Sequence, residues 1–370
     1  MKIVLTGGGT GGHLFPLVAV RDYINKNYKN TEKVFIFYGP KGKLESDIIE
    51  SRHIKSRHIL SGKLRRYFSL YYCLDLIKLP LGFLQAMFYL LVDMPDVIFA
   101  KGGYASVPVV TIAWLYRIPI LVHESDSRPG IANQFLGSIA TKVALSFRRA
   151  RIHFPPSKTI LTGTPVAERV LNGNKEEAIK ILNIKRNEKP ALLILGGSQG
   201  AMFINRRILR MLKVLIKEYQ VVHQTGENNF DWVVQEAEKI GVEVGTGDYY
   251  PVAFFDENIK HFYALADVVI SRAGSTTISE IAANKKPAIL VPITRSANNH
   301  QRLNAFEVSK KGGAIVLEEN NFKTNLVRLR LRQLVEDGVI RENIVKNVQK
   351  FYNPKATELL AKEIISMGER

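Results

Sequence analysis

Two segments of this sequence join a run of apolar residues directly to a glycine-rich turn, and each turn is followed by a helical pattern. Residues 2–12 read KIVLTGGGTGG, and residues 191–201 read ALLILGGSQGA. A second pair follows in the same order, with DVIFAKGG at residues 96–103 and DVVISRAG at residues 267–274. Because both pairs keep this order, the sequence predicts two similar α/β domains that face each other across a cleft.

Short apolar runs without polar alternation recur between helical patterns, which is typical of parallel strands buried on both faces. The predicted strands are residues 2–6, 34–38, 97–100, 118–122 and 143–146 in the first half, and residues 191–195, 220–223, 268–271, 288–291 and 314–317 in the second. Each half therefore predicts a doubly wound α/β sheet. Such sheets bind ligands beyond the carboxyl ends of their strands, so we expect the site in the cleft.

The length of 370 residues suits two domains of about 100 to 200 residues each. Strand patterns stop near Pro165, and a polar stretch then leads to Pro190. We therefore place the first domain at residues 1–165 and the second at residues 166–353. The last predicted helix, residues 354–370, is expected to rejoin the first domain.

The charge balance admits several classes of partner. Lys and Arg number 52 against 34 Asp and Glu, and the net charge of +18 suits nucleic acid, an anionic membrane face or a phosphorylated substrate. Cys73 is the single cysteine, which excludes an internal disulfide and a cysteine metal cluster. The chain opens on a strand pattern rather than a secretion signal, so we expect no export. The apolar stretch 79–92 is shorter than the roughly 17 to 25 residues of a spanning helix, so we expect no transmembrane segment.

The first glycine loop lies between a predicted strand and a predicted helix, as residues 7–13, GGGTGGH. Glycines let a phosphate or a sugar approach the backbone, and a helix N-terminus favours negative charge. The loop also fits the dinucleotide pattern GxGxxG, but that motif needs an acidic residue after the second strand, where residues 38–41 read YGPK. It also lacks the lysine of a P-loop. The loop therefore favours a phosphate or sugar ligand over a nicotinamide cofactor.

The second glycine loop, residues 196–200, repeats the arrangement of strand, loop and helix. Ser198 and the backbone N–H groups around it are suited to a diphosphate, and a tight turn without a ligand is the alternative. The sequence has no Asp-x-Asp motif and no histidine pair at helical spacing. We therefore expect neither a metal nor a cofactor, and helix N-termini would neutralise the diphosphate instead.

Two side chains carry the expected chemistry, and each also has a plainer explanation. His13 begins the first helix, whose positive end keeps an imidazole neutral and able to accept a proton. The alternative is that His13 only packs against the helix or caps it. Glu280 would accept two ribose hydroxyls from the first turn of a later helix, and the alternative is a capping box made by Thr277 and Glu280.

The segment 63–92 combines basic residues with an excess of aromatic and aliphatic ones. Lys63, Arg65 and Arg66 come first, and large apolar side chains follow up to Val92. A core helix explains this composition. A surface that docks on anionic lipid is the alternative explanation.

Taken together, these residues resemble the MurG family of bacterial glycosyltransferases, which move N-acetylglucosamine from UDP-GlcNAc onto lipid I to give lipid II. The resemblance runs in order over most of the chain. Its elements are GGTGGH (8–13), GGYAS (102–106), HE (123–124), PGIAN (129–133), GTPV (163–166), GGSQGA (196–201), HQTG (223–226), YALADVVISRAGSTTISEIAA (263–283) and HQRLNA (300–305).

The resemblance implies a GT-B fold with the nucleotide sugar on the second domain and lipid I on the first. The implied contacts to UDP-GlcNAc are Thr10, Gly11, Gly12, Asp126, Ser198, Asp256, Ser275, Thr276, Thr277, Ile278, Ser279, Glu280 and Gln301. Among them, Glu280 would hold the ribose and Gln301 the donor sugar. His13 is the implied base for the acceptor hydroxyl, followed by Glu124 or Asp126.

The sequence departs in three places from the pattern that many family members share. Ser125 and Asp126 stand where Gln-Asn is common, so an amide contact to the sugar becomes a carboxylate contact or is lost. Ala167 stands where an arginine is common, and the nearest arginine is Arg169. Asp256 replaces an apolar residue, which matters less if that contact is made by the backbone.

The expected activity is metal-independent transfer of N-acetylglucosamine from UDP-GlcNAc to the MurNAc of lipid I, with inversion, in peptidoglycan synthesis. The expected partners are UDP-GlcNAc, lipid I and an anionic membrane surface, without nucleic acid. The protein would therefore lie peripherally on the cytoplasmic face of the cell membrane. The alternatives are a transferase for another glycolipid, a UDP-GlcNAc 2-epimerase and a membrane-binding module without activity.

Overall fold

The computed structural model describes residues 1–9, 11–29, 32–62, 71–184, 188–197, 199–255, 257–294 and 299–369, with the backbone alone at residues 43, 44 and 71–77. The chain divides into two compact units. Unit 1 comprises Met1–Pro165 and Asn353–Arg370, and unit 2 comprises Val166–Tyr352. Within the described ranges, no helix combines the length and the apolar character needed to cross a bilayer.

Unit 1 is built on a parallel sheet in which seven strands are described, in the order β3-β2-β1-β4-β5-β6-β7. The strands are β1 (Lys2–Thr6), β2 (Val34–Gly39), β3 (Lys55–His58), β4 (Val97–Ala100), β5 (Ile120–Glu124), β6 (Lys142–Leu145) and β7 (Thr159–Leu161). The strand order reverses between β1 and β4, because the chain first builds outward to β3 and then returns to the other side of β1. That switch point is where a doubly wound sheet opens a crevice at its carboxyl edge.

Helices cover both faces of the unit 1 sheet. They are α1 (Gly11–Asn27), α2 (Lys43–Glu50), α3 (Tyr71–Asp93), α4 (Val107–Leu115), α5 (Ile131–Ile139) and α14 (Ala356–Gly368). Ile3 and Leu5 of β1 pack in a core with α1 and α14, whereas Val4 packs on the opposite face with α3, α4 and α5. Side chains of successive strand residues alternate between the faces, so both faces need apolar residues, which explains the unbroken apolar runs.

Unit 2 repeats this architecture with six described strands in the order β10-β9-β8-β11-β12-β13, all parallel. The strands are β8 (Ala191–Leu195), β9 (Gln220–Gln224), β10 (Tyr249–Val252), β11 (Val268–Ser271), β12 (Ala288–Leu290) and β13 (Ile315–Val316). The helices are α6 (Lys175–Leu182), α7 (Met202–Glu218), α8 (Phe230–Lys239), α9 (Ile259–Leu265), α10 (Ser275–Ala283), α11 (His300–Lys310), α12 (Thr324–Glu336) and α13 (Gly338–Val348). The switch point lies between β8 and β11.

The predicted fold class is confirmed, and the differences concern strand ends and sheet edges. The strand predicted at residues 118–122 is found at Ile120–Glu124. The apolar pattern ends before His123, but the strand continues through His123 and Glu124, which are polar and nevertheless buried. No strand was predicted for β3, β7 and β10, which are all edge strands. Edge strands are partly exposed and carry polar residues, and β3 reads KSRH.

Candidate functional site

The first glycine loop connects β1 to α1 at the carboxyl edge of the unit 1 sheet. Gly8 and Gly9 have φ values of +147° and +89°, which favour glycine. A Cβ atom on Gly8 would lie 2.8 Å from Cδ of Pro40, so the loop packs tightly against the end of β2. The Gly9 N–H donates to Oε1 of Glu45 at 2.7 Å. A buried carboxylate therefore already occupies one donor of this loop.

His13 lies in the first turn of α1, after Gly11 and Gly12. Its ring faces the loop after β4, since a Cβ atom on Gly103 would lie 3.6 Å from Cε1 and 3.7 Å from Nε2 of His13. Tyr104 from the same loop lies against the glycine loop, with its hydroxyl 3.3 Å from a Cβ built on Gly9. The loops after β1 and β4 thus meet at the switch point. Thr10 lies outside the described residues.

Glu124, the last residue of β5, lies at the centre of a buried hydrogen-bond network. Its Oε1 accepts from the Asp126 N–H at 2.7 Å, and its Oε2 accepts from Nδ2 of Asn133 at 2.9 Å. Oδ1 of Asn133 accepts in turn from the Gly103 N–H at 3.1 Å. The network therefore joins Glu124 to the loop that faces His13, and it places both alternative base candidates on the same edge as His13.

Lys101 lies directly after β4, and its side chain is buried in the same network. Its Nζ donates to Oγ of Ser125 at 2.7 Å, and the Lys101 residue is 1% exposed. Burial lowers the pKa of Lys101, whereas the charges of Glu124 and Asp126 raise it. Burial and then the charge of Asp126 raise the pKa of Glu124 to about 7, against the opposing effect of Lys101 and of the two hydrogen bonds that Glu124 accepts. A carboxyl that titrates near neutral pH is suited to proton transfer.

His123 stands beside Glu124 but is a structural residue. Its Nε2 lies 3.1 Å from both Oγ of Ser146 and the carbonyl oxygen of Gly163, and its Nδ1 has no hydrogen-bond partner in the described part of the chain. Burial and the charge of Lys101 lower the pKa of His123 well below its usual value. The ring is therefore neutral and donates through Nε2, which ties β5 to the segments after β6 and β7.

The second glycine loop connects β8 to α7 in unit 2. Gly200 has φ of +73°, and a Cβ atom there would lie 2.2 Å from the carbonyl oxygen of Thr225, so the loop packs on the segment after β9. Nδ2 of Asn205 donates to the same carbonyl at 2.9 Å. His223 fixes Asn205 through a 3.1 Å contact to its Oδ1. This buried network sets the shape of the loop, while Ser198 itself lies outside the described residues.

The residues Ser275 to Glu280 form the N-terminal part of α10, which follows β11 at the switch point of unit 2. The N-cap is Gly274, which makes no side-chain cap, and the Ile278 N–H bonds to the Gly274 carbonyl at 2.9 Å. The capping-box interpretation of Thr277 and Glu280 is therefore wrong. The expected place of Glu280 on the first turn is also corrected, since as the sixth helical residue it lies in the second turn. The first-turn N–H groups of α10 point toward the carboxyl edge, where an anion is favoured.

Glu280 is almost buried, at 9% exposure, and its Oε2 accepts a 3.2 Å hydrogen bond from the hydroxyl of Tyr263. Burial raises the pKa of Glu280, while the charge of Arg169 and the hydrogen bond from Tyr263 oppose that rise. Arg169 lies in a short 3-10 turn, Glu168–Val170, two residues after Ala167. Its charge thus acts on Glu280 even though the arginine common at position 167 is missing.

Gln301 is the second residue of α11, and its Oε1 accepts from the Ile293 N–H at 3.2 Å. Glu319 fixes the same segment after β12, because its Oε2 accepts from Oγ1 of Thr294 at 2.5 Å. Glu319 is itself held by Nη2 of Arg272 at 2.8 Å. Thr294 is therefore anchored, through Glu319, to Arg272 at the end of β11. Asp256, the remaining predicted contact, lies outside the described residues.

The structure thus brings the described site residues together within each unit. Gly11, Gly12, His13, Glu124 and Asp126 share the unit 1 edge, and Ser275, Thr276, Thr277, Ile278, Ser279, Glu280 and Gln301 share the unit 2 edge. Sequence reasoning missed Lys101, Tyr263 and Glu319, because their roles depend on contacts between distant segments. Among the described residues, no group of three or more His, Cys, Asp or Glu side chains is arranged to hold a metal ion.

Comparisons with known proteins agree with this arrangement. The model of the glycosyltransferase family 28 N-terminal domain matches residues 3–145, and that of the family 28 C-terminal domain matches residues 191–358. A protein of Bacillus thuringiensis (strain Al Hakam) is 39% identical over 96% of this chain and 96% of its own length. It is named UDP-N-acetylglucosamine--N-acetylmuramyl-(pentapeptide) pyrophosphoryl-undecaprenol N-acetylglucosamine transferase 3. The chain belongs to the MurG family.

Solved structures show that the fold of this MurG family member is shared more widely. The crystal structure of MurG from Acinetobacter baumannii is 22% identical, has a TM-score of 0.72, and the match covers 99% of both chains. A UDP-GlcNAc 2-epimerase from Neisseria meningitidis, solved with UDP-GlcNAc bound, is 14% identical with a TM-score of 0.67, covering 99% of this chain and 100% of the epimerase. Fold alone therefore does not separate a transferase from an epimerase, whereas family membership does.

Proposed function

We propose that this chain transfers N-acetylglucosamine from UDP-GlcNAc to the N-acetylmuramyl sugar of lipid I, forming lipid II for peptidoglycan. The observation that carries the proposal is near-full-length identity of 34–39% to curated relatives named for this reaction. The two carboxyl edges support it, since each presents a glycine loop at the start of a helix.

Unit 2 is the proposed donor domain. The N-terminus of α10 and the glycine loop before α7 supply backbone N–H groups for the diphosphate. Glu280 would accept the ribose hydroxyls, and Gln301 would bind the sugar. Arg169, whose charge reaches Glu280, would compensate for Ala167. Ser198 and Asp256 are proposed contacts on the strength of the family pattern alone.

Unit 1 is the proposed acceptor domain, with its glycine loop and α1 at the reacting centre. The acceptor hydroxyl oxygen attacks C1 of the donor sugar on the face opposite UDP. The bond from C1 to the β-phosphate oxygen breaks, its electron pair leaves with UDP, and the configuration at C1 inverts. The hydroxyl proton passes to a base, for which we propose His13, with Glu124 or Asp126 as the alternatives. Helix N-termini stabilise the departing UDP, and no metal is required.

One assay tests the proposal directly. Purified protein is incubated with UDP-GlcNAc and a lipid I analogue, and UDP release and disaccharide product are followed with and without EDTA. We expect equal rates in both conditions and a β-linked product. A rate abolished by EDTA would contradict metal independence. Conversion of UDP-GlcNAc without an acceptor would identify an epimerase, and UDP release only with a different glycolipid would refute lipid I as the substrate.

We further propose that unit 1 binds an anionic membrane surface on the cytoplasmic side, where the lipid-linked acceptor lies. On α3, Leu84, Phe88 and Leu91 recur at helical spacing and are 57%, 61% and 59% exposed. Ala86 and Leu90 of the same helix are fully buried, so α3 is amphipathic rather than wholly core. The basic residues Lys63, Arg65 and Arg66 lie outside the described residues.

A second helix extends this apolar surface. The hydroxyl of Tyr116, just after α4, lies 3.5 Å from the carbonyl oxygen of Met87, so the end of α4 is beside the exposed face of α3. Trp114 and Leu115 on that end are 49% and 58% exposed. Exposed Arg117 adds a positive charge beside them. Apolar side chains bordered by cations suit an anionic lipid surface.

Vesicle flotation tests this second proposal. The protein should float with vesicles that contain phosphatidylglycerol, and salt should weaken the binding by screening. Replacing Leu84 and Phe88 together by serine should reduce the bound fraction several-fold. Val339→Ser, which changes a similarly exposed apolar side chain of unit 2, is the matched control and should float normally. Equal flotation of all three proteins would remove α3 from the interface.

A further inference from the structure

We propose that Lys101 is a positioning residue of the carboxyl edge of unit 1, whose buried ammonium group favours the charged form of the Glu124 carboxylate and its orientation next to Asp126 for the transfer reaction. This inference rests on the proposed function for its catalytic meaning. Its geometric part concerns Lys101, Glu124, Ser125, Asp126 and Asn133, defined here as the Lys101 network.

The position of Lys101 is fixed from both ends. Its backbone N–H donates to the carbonyl oxygen of Thr6 at 2.8 Å, which continues the pairing of β4 with β1. Its Nζ donates to Oγ of Ser125 at 2.7 Å, which lies just beyond β5. Burying an ammonium group is costly unless charges of opposite sign compensate it. At 1% exposure Lys101 does not reach a ligand, so it acts through its neighbours.

Two carboxylates provide that compensation, and they also compete with each other. Glu124 and Asp126 both raise the pKa of Lys101, and the charge of Asp126 raises the pKa of Glu124. Without a cation, adjacent carboxylates resist simultaneous ionisation, so one of them takes up a proton. Removing the positive charge of Lys101 should therefore shift Glu124 further toward its protonated form.

Other titratable groups at this edge do not replace the lysine. His123 from β5 is neutral, because burial and the charge of Lys101 lower its pKa well below the usual range. His13 faces the neighbouring Gly103 loop from α1. A protonated His13 would repel the Lys101 ammonium rather than take its place. Among the residues that the structure describes, Lys101 is thus the cation whose charge lowers the pKa of Glu124.

The orientation of Glu124 has a consequence for the base candidate. Asn133 donates to Glu124 through Nδ2 and accepts from the Gly103 N–H through Oδ1. Protonation of Glu124 would replace an acceptor by a hydroxyl and weaken the first of these hydrogen bonds. Gly103 lies against the ring of His13. The charge on Glu124 therefore influences proton transfer both to Glu124 itself and to His13.

The test compares Lys101→Met and Lys101→Gln with the full-length wild-type chain. An opposite charge nearby shifts a carboxyl pKa by about 1 to 3 units, so the titration midpoint of Glu124 should rise by at least about 1 unit in both variants. Starting from about 7, that shift lowers the ionised fraction at pH 7 at least about 5-fold. The value of kcat/KM should fall by the same factor at pH 7 and recover toward wild type at pH 9.

The midpoint is read by NMR from the carboxyl carbon of Glu124, assigned with Glu124→Gln. Lys101→Gln keeps a donor for Ser125 without the charge, so it separates electrostatics from hydrogen bonding. Lys286→Met removes a partly buried lysine of unit 2 and should leave the Glu124 midpoint unchanged. If neither single variant folds, Lys101→Met combined with Asp126→Asn removes one charge of each sign and should titrate near wild type.

The proposal would be overturned if the Glu124 midpoint in Lys101→Gln equalled the wild-type midpoint. This holds even if the midpoint in Lys101→Met is raised, because the shift would then depend on the lost hydrogen bond rather than on the lost charge. For the double variant, a Glu124 midpoint that lies about 1 unit or more above the wild-type midpoint would do the same. Failure of the proposed function looks different. In that case the wild-type protein releases no UDP, whereas the Glu124 carbon still titrates and still shifts when Lys101 is neutralised.

Discussion

Replacing Glu280 by glutamine is the most informative single change in the proposed donor domain. The substitution keeps the size of the side chain and removes its negative charge. It leaves the backbone of α10 unchanged, and the new amide oxygen can still accept from the hydroxyl of Tyr263, which donates to Oε2 at 3.2 Å in the native protein. Loss of ligand affinity would therefore report on the carboxylate itself rather than on a collapsed site.

The expected size of the effect follows from the burial of this carboxylate. Glu280 is 9% exposed, so water does not compensate for a lost charged contact. Hydrogen bonds to charged groups contribute about 1.5 to 3 kcal/mol. If the ribose hydroxyls donate to Glu280, the dissociation constant for UDP should rise about 10-fold to 150-fold, taking about 1.4 kcal/mol for each factor of ten.

Isothermal titration calorimetry with UDP and 2′-deoxy-UDP provides the decisive comparison. Removing the 2′-hydroxyl should weaken binding to the wild-type protein and have almost no further effect on Glu280→Gln, because the hydroxyl has then lost its partner. Glu342→Gln, a change on the exposed side of α13, is the control and should bind UDP normally. Equal losses for the deoxy ligand in both proteins would refute the ribose assignment.

The contribution of the Glu280 carboxylate to UDP binding should also depend on pH, and it should weaken in acid. Burial raises the pKa of Glu280 above its ordinary value, against the opposing charge of Arg169 and the hydrogen bond from Tyr263. A carboxyl with a raised pKa becomes protonated at a higher pH than an exposed one. As the pH is lowered, the UDP affinity of the wild-type protein should therefore begin to decline at a pH above the ordinary glutamate pKa. The Gln variant should show no such decline from this position.

Two further predictions address unit 1, the proposed acceptor domain. His13→Ala should lower kcat by about 100-fold to 10,000-fold while UDP affinity stays within a small factor, and unchanged turnover would exclude His13 as the base. Asp93→Asn should lower the free energy of unfolding by about 1.5 to 3 kcal/mol, because buried Asp93 accepts from Arg57, Tyr38 and Lys55. Burial pushes the pKa of Asp93 upward, but those hydrogen bonds outweigh it and hold the pKa below the usual value. The stabilisation by Asp93 is thus present above the ordinary aspartate pKa and disappears in acid. Denaturant unfolding of wild type and Asp93→Asn at several pH values measures it. A difference in the free energy of unfolding that stays constant with pH would contradict the prediction.

The fold was accessible from sequence because its central strands must be apolar on both faces. β1, β4, β8 and β11 match their predicted ranges residue for residue, and all are flanked by strands on both sides. The missed strand β3 lies at an edge and reads KSRH, so no hydrophobic pattern marks it. Pairing of such a segment depends on the strand beside it, which local sequence does not specify.

The candidate site was predictable where chemistry lies in consecutive residues. The glycine loops and the stretch Ser275 to Glu280 are continuous, so their pattern identifies them. Lys101 is different, because its partner Ser125 lies 24 residues away in the chain and meets it only through the pairing of β4 with β5. Tyr263 likewise reaches Glu280 from another helix, and nothing in its local sequence indicates that contact.

The repeated architecture places different chemistry at two equivalent edges. In unit 1 the Gly9 N–H already bonds to the carboxylate of Glu45, and Glu124 and Asp126 lie at the same carboxyl edge. Carboxylates at this edge are suited to receive a proton from a neutral hydroxyl. In unit 2 the N-cap of α10 is Gly274, which makes no side-chain cap hydrogen bond, and the N-terminus of a helix favours an anion. The same α/β architecture with different residues at the strand ends is thus compatible with the proposed separation of acceptor activation in unit 1 from leaving-group stabilisation in unit 2.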